Sequence, residues 1–244
     1  MREVGSSNLL APTKIMTATP TYNLSQALII IPAFNAGKHL EELISRLRRT
    51  VPKNDILVVD DGSTDRTQEL LSELNADSLL ISPNKGKGEA LMTGFRRAVA
   101  RGYRSVLTMD ADLQHLPEEV PALLDHDDGC NLVLGTRQID RSVMPAARCL
   151  SNNLTSLIVS VFSSRRIRDS QTGFRVVPAW LIRRLRLRSG GFSLESELLF
   201  RAAVLGCKVV EAPVSTVYNE SISHIRHSRD TLRFIRETWR RLWM

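Results

Sequence analysis

Four short apolar runs, each followed by a polar loop and then a helix-period pattern, constrain this chain more than any other feature. The runs are Ala27–Ile31, Ile56–Val59, Ser78–Ile81 and Val106–Met109. Between them, Leu40, Leu43, Ile44 and Leu47 recur at the spacing of one helix face. So do Leu70, Leu71 and Leu74, and then Ala90, Leu91, Phe95 and Val99. Strand–helix alternation of this kind predicts an α/β domain with a mostly parallel sheet and helices on both faces. Ligands in such sheets bind beyond the carboxyl ends of the strands. Pro32, Asp60 and Asp110 stand at those ends, so their loops are expected to converge on one crevice.

The fourth run closes on Asp110-Ala111-Asp112, followed by Gln114, His115 and Pro117. Side chains at i and i+2 of an extended backbone share a face, which sets the two carboxylates side by side. Each would raise the pKa of the other unless a cation lies between them. A hard divalent ion with oxygen ligands suits the pair, with Gln114 as a third oxygen and open positions left for phosphates. The second run ends in Asp60-Asp61-Gly62-Ser63-Thr64-Asp65, where Ser63 or Thr64 is placed to cap the next helix and Asp60 and Asp61 are equally suited to capping. In Asn84-Lys85-Gly86-Lys87-Gly88 no Gly-Lys-Ser/Thr follows at P-loop spacing, and a solvated turn is the plain alternative for the two lysines.

The second half is organised differently. Leu132–Gly135 reads as a strand leading to Thr136 and Arg137. After it Arg141, Arg148, Arg165, Arg166, Arg168 and Arg175 are opposed by Asp140 and Asp169, while Leu154, Leu157, Ile158, Val161 and Phe162 keep helical spacing. Asp169 to Arg175 reads as a tight polar turn. Glu195 and Glu197 open a helix carrying Leu198, Leu199, Ala202, Ala203 and Leu205, with both carboxylates at its positive end. Lys208–Val214 reads as a late strand. Net charge is +7, which points to an anionic partner. A nucleic-acid module is disfavoured, since the arginines are not interleaved with aromatics and no finger or helix-turn-helix spacing appears. Cys130, Cys149 and Cys207 are odd in number and form no CxxC pair, which suits a reducing cytoplasm. No apolar run approaches the roughly 18 residues of a membrane span. The expected division is a loose leader over 1–25, one domain over 26–222, and a basic amphipathic helix over 223–244.

The ordered set Pro32-Ala-Phe-Asn35, Val58-Val-Asp-Asp61-Gly-Ser63, Asn84-Lys-Gly-Lys-Gly88, Asp110-Ala-Asp112, Gly135-Thr-Arg137, Asp169 through Gly173-Phe-Arg175 and Glu195-x-Glu197 resembles family 2 glycosyltransferases of the GT-A fold. Within them it is most similar to the branch of dolichol-phosphate mannose synthase and bacterial polyprenyl-phosphate glycosyltransferases, over about residues 27–218. The resemblance implies an inverting transfer from a UDP- or GDP-sugar to a polyprenyl or dolichyl phosphate at a membrane surface. Pro32 and Phe34 would line the base and ribose pocket, and Asp61 would accept a hydrogen bond from the base. Asp110, Asp112 and Gln114 would hold Mg²⁺ or Mn²⁺ on the diphosphate. Many members carry an acidic residue where this chain has Ala36, which weakens the ribose assignment. Arg137 and Arg148 match the acceptor-phosphate region, and Asp169 is the candidate general base for a glycolipid or sugar hydroxyl acceptor. The enzyme would then sit in the cytoplasm, peripheral on the inner face of an anionic membrane.

Overall fold

The computed structural model of the chain describes residues 26–137, 172–185 and 194–215. The strands are β1 (Ala27–Ala33), β2 (Ile56–Asp60), β3 (Ser78–Leu80), β4 (Ser105–Thr108), β5 (Leu132–Arg137), β6 (Arg175–Pro178) and β7 (Val209–Val214). The helices are α1 (Leu40–Leu47), α2 (Thr67–Glu73), α3 (Lys87–Ala100), α4 (Val120–Leu124), α5 (Ala179–Arg184) and α6 (Leu194–Val204). They build a seven-stranded sheet in the order β3-β2-β1-β4-β6-β5-β7. β1 pairs in parallel with β2 and β4, and β2 with β3 and β5 with β7 are also parallel.

β1 is buried along its whole length, as its β-branched run requires of a strand covered on both faces. Its alternate residues divide the core. Ile29 and Ile31 pack with Leu40, Leu43, Ile44 and Leu47 of α1, while Leu28 and Ile30 pack with Ala90, Leu91 and Phe95 of α3. Each such aliphatic side chain contributes about 1.5–3 kcal/mol by leaving water. α3 comes so close to β1 that a Cβ at Gly94 would lie 2.6 Å from Ile30 Cγ2. No helix among the described residues is long and apolar enough to cross a membrane.

Three local expectations are corrected. β6 runs antiparallel to both β4 and β5, in a segment read as a turn followed by nothing regular. Four residues, Arg-Val-Val-Pro, are too few to carry a strand period, and their pairing is decided by the neighbours. Pro32 does not end β1 but lies buried inside it, opposite Val59. Ala33 O accepts from Asp61 N, so Pro32 turns its missing donor the other way, towards β4, which has already ended at Thr108. Finally, β4 stops two residues before Asp110, so the pleat of a strand does not set Asp110 beside Asp112; the following turn does.

Candidate active site

The β1 and β2 loops are stitched to each other at the carboxyl edge of the sheet. Ser63 Oγ accepts from Asn35 N at 2.9 Å, Asn35 Oδ1 accepts from Thr64 N at 2.8 Å, and Thr67 Oγ1 accepts from Ala36 N at 2.9 Å. Asn35 adopts a φ of 52°, which its short polar side chain tolerates better than most. Neither Ser63 nor Thr64 caps α2. The N-cap position falls to Arg66, because the helix starts later than the apolar pattern suggests, and Asp65, one residue earlier, accepts from Thr67 N through Oδ1 at 3.0 Å. Ser63 instead donates through N and Oγ to Asp60 Oδ1, which leaves Asp60 buried as a loop brace.

Asp61, 2% exposed, joins this edge to the next loop: its two oxygens accept from Lys85 N at 2.9 Å and Gly86 N at 2.6 Å. Phe34 stands at the same rim with half its surface exposed, which leaves an aromatic face open to a ring. Pro32, buried in β1, offers no such wall.

The turn after β4 brings three distant segments together. Lys87, the first residue of α3, places Nζ 2.6 Å from Asp110 Oδ1 and 2.9 Å from Glu195 Oε1. Gly173 closes the other side of Asp110, where a Cβ would fall 2.5 Å from Oδ2, and Thr108 Oγ1 donates to Gly173 O at 2.7 Å. Arg175, 1% exposed, donates to the carbonyls of Thr172 (Nε, 3.0 Å) and Glu195 (Nη1, 3.1 Å), fixing α6 to β6. The cavity behind these groups is only about 10 Å³, so the cluster is packed against Leu91, Phe95 and Leu198. Leu113, at a φ of 58°, reverses the chain and lets Asp112 Oδ1 accept from Gln114 N at 3.0 Å. His115 stacks on Phe174, with ring centroids 5.0 Å apart.

The charges explain one another. Burial would push the Asp110 carboxyl up, but Lys87, with His115 and Arg175 behind it, holds it below the usual carboxylate value. Glu195 is lowered in the same way, against its own burial, by Lys87 and Arg175. Lys87 is raised, since the two carboxylates outweigh its desolvation. Two cations and two anions thus balance, and Asp112 adds one further negative charge. Its carboxyl is pushed up by burial and, despite the Gln114 N–H, by Asp110. A surplus carboxylate disfavoured where it stands is relieved by a cation, and the donors around it are hard oxygens. The residues therefore fit Mg²⁺ or Mn²⁺ as a partial shell: among the described residues no group of three His, Cys, Asp or Glu could hold a metal. A phosphate ligand and water would have to complete it.

Of the sequence-expected site residues, the fold brings Phe34, Asp61, Asp110, Asp112 and Gln114 to the carboxyl edge. The side chain of Arg137, and Arg148 and Asp169, lie outside the described residues. Glu195 does stand in the first turn of its helix, as its position suggests, but the structure adds a partner: Lys87, whose plain alternative was a solvated turn, bridges it to Asp110, and Arg175 of the basic stretch is buried beside them. The clue in the sequence was a charged residue at each end of an apolar pattern, which gives no pairing by itself.

Residues 28–189 match the Glycosyl transferase family 2 model. Undecaprenyl-phosphate mannosyltransferase of Micrococcus luteus is 32% identical over 206 residues, covering 80% of this chain and 85% of its own. Polyprenol monophosphomannose synthase of Mycolicibacterium smegmatis is 31% identical, covering 84% and 81%. Among solved structures, glucosyl-3-phosphoglycerate synthase of Mycobacterium tuberculosis, in complex with Mn²⁺, UDP and glucosyl-3-phosphoglycerate, superposes with a TM-score of 0.68 at 19% identity, over 91% of this chain and 85% of that one.

Proposed function

The chain belongs to glycosyl transferase family 2 and is a glycosyltransferase, and from that premise we propose that it moves a sugar from a nucleotide-sugar to the phosphate of a polyprenyl lipid, with a divalent metal. What supports this reading is that Phe34, Asp61, Asp110 and Asp112 each follow the carboxyl end of a neighbouring strand on one edge of the sheet, in a chain whose relatives are named for transfer to polyprenyl phosphates. Phe34 offers its ring to the base and Asp61, while bracing Lys85 and Gly86, keeps lone pairs for it. Asp112, with Asp110 and Gln114, would hold Mg²⁺ or Mn²⁺. Bound there, the ion neutralises the charge left on the diphosphate as the anomeric C–O bond breaks.

A phosphate acceptor is already anionic at neutral pH, so it needs positioning rather than deprotonation. Arg137 and Arg148 supply the cations for that, and Asp169 is not required to take a proton. Attack from the side opposite the leaving diphosphate inverts the anomeric centre. The basic stretch over 223–244 would keep the enzyme at an anionic membrane surface, where the lipid acceptor resides.

A thermal-shift panel of UDP- and GDP-sugars with Mn²⁺, followed by radiolabel transfer to polyprenyl phosphate, tests the reading. Asp112→Asn is expected to cut kcat/KM by about 100-fold or more with little loss of melting temperature. Undiminished transfer in EDTA would remove the metal. Label passing to a hydroxyl acceptor while polyprenyl phosphate stays unlabelled would remove the proposed acceptor.

A further inference from the structure

Asp110 is already occupied by a cation of the chain itself. Its Oδ1 lies 2.6 Å from Lys87 Nζ, and its Oδ2 faces Gly173 so closely that no Cβ could stand there. A divalent ion cannot approach Oδ1 while the ammonium holds it. The same ammonium has a second anion at 2.9 Å, Glu195 Oε1. Glu195 is well placed to keep it: its side chain is 13% exposed, and Arg175 anchors its carbonyl. Lys87 Nζ already touches both carboxylates, so giving up Asp110 leaves its head on Glu195 and not stranded.

We propose that Lys87 guards the metal site, holding Asp110 until metal and nucleotide diphosphate arrive together and then resting on Glu195 alone. This rests on the reading of Asp110 and Asp112 as metal ligands given above. Its consequence is an order of events. Metal alone must compete with Lys87 for a carboxylate and binds weakly, whereas the diphosphate adds oxygens and negative charge that favour both the ion and the displaced ammonium. Lys87 is a positioning residue in this scheme, acting through Asp110.

The test is Mn²⁺ binding, read from the signal of free Mn²⁺ by electron paramagnetic resonance, with and without UDP or GDP. Wild-type protein should bind Mn²⁺ at least about tenfold more tightly with a nucleotide than without. Lys87→Met should bind Mn²⁺ alone about tenfold more tightly than wild type, and its gain from nucleotide should be smaller than that of wild type, because the competing cation is gone while the diphosphate oxygens still complete the shell. Glu195→Gln, which keeps the shape but removes the resting place, should bind Mn²⁺ alone several-fold more weakly, and it carries the test should Lys87→Met fail to fold. Lys85→Met, two residues away, controls for bulk charge and should shift the affinity by less than about twofold. Unchanged affinity in folded Lys87→Met, or in Glu195→Gln, overturns the guard while leaving the metal reading intact. No Mn²⁺ binding by wild type even with nucleotide overturns the metal reading and the guard with it.

Discussion

At Gly173 the lack of a side chain is a requirement of the site. A Cβ there would lie 2.5 Å from Asp110 Oδ2, and Asp110 is held on its other side by Lys87, so it has nowhere to retreat without breaking the ion pair. Gly173→Ala is therefore expected to lower transfer about tenfold or more and to cost about 1–3 kcal/mol of stability through overpacking. Steady-state kinetics beside thermal melts check this, and an unimpaired variant would mean that the position of Asp110 is immaterial. Asp55 teaches the opposite lesson. It is 6% exposed and accepts from Tyr103 Oη at 2.9 Å; burial, against that hydrogen bond, raises its carboxyl above the ordinary value. Its folded pKa thus exceeds its unfolded one, so its contribution is most favourable below the unfolded value and is lost as pH rises through the folded value. Asp55→Asn keeps an acceptor for Tyr103 and removes the charge. The variant should melt higher than wild type at pH 8, and the gain should vanish by about pH 3.5, below the unfolded carboxyl value.

Among the elements, α3 has two tasks. Its middle packs on β1, where Gly94 lets the backbones approach, and its first residue is the lysine of the ionic cluster. β6 is short, yet it joins β4 to β5 and carries Arg175 into the interior, so its sequence is governed by what it connects. For the C-terminal stretch, which lies outside the described residues, we propose an element from the sequence pattern alone. Leu232, Ile235, Trp239 and Leu242 step by three and four, with Arg229, Arg233, Arg236 and Arg240 beside them. That pattern suits an interfacial helix, and each arginine near an anionic leaflet contributes about 1 kcal/mol. Deleting residues 230–244 should release the protein from anionic liposomes, in a salt-sensitive manner, with little change in melting temperature. A truncated protein that still sediments with liposomes, or that unfolds, would assign the stretch to the fold instead.

At the scale of the whole molecule we propose that the two substrates of the reaction divide between the halves of the chain. The parallel strands β1, β2 and β4 present Phe34, Asp61 and the two aspartates of the turn, all suited to a nucleotide and its cation. The net charge of +7 is weighted by the arginines that follow β5, which on this proposal would meet the anionic acceptor. Arg148→Ala should accordingly raise the acceptor KM or lower kcat by about tenfold while donor affinity, measured by nucleotide titration, stays nearly unchanged. Equal loss on both sides would move Arg148 to the nucleotide.

The sequence by itself determined the alternation of strands and helices, the burial of β1 on both faces, the loops that would meet, and the family, because each is written in local periodicity or in a run of adjacent residues. Val106 to Asp112 can be read as strand and acidic turn without knowing what lies beside it. The tertiary structure decided which charges pair. Lys87, Asp110 and Glu195 sit in three separate segments, and nothing in their local patterns distinguishes a solvated charge from one that closes a buried network. It decided also that β6 runs antiparallel, that α2 starts too late for Ser63 or Thr64 to cap it, and that Pro32 is enclosed. In each case the outcome depends on the donor, acceptor or strand edge that a distant segment happens to present. Such contacts leave no period in the sequence to read.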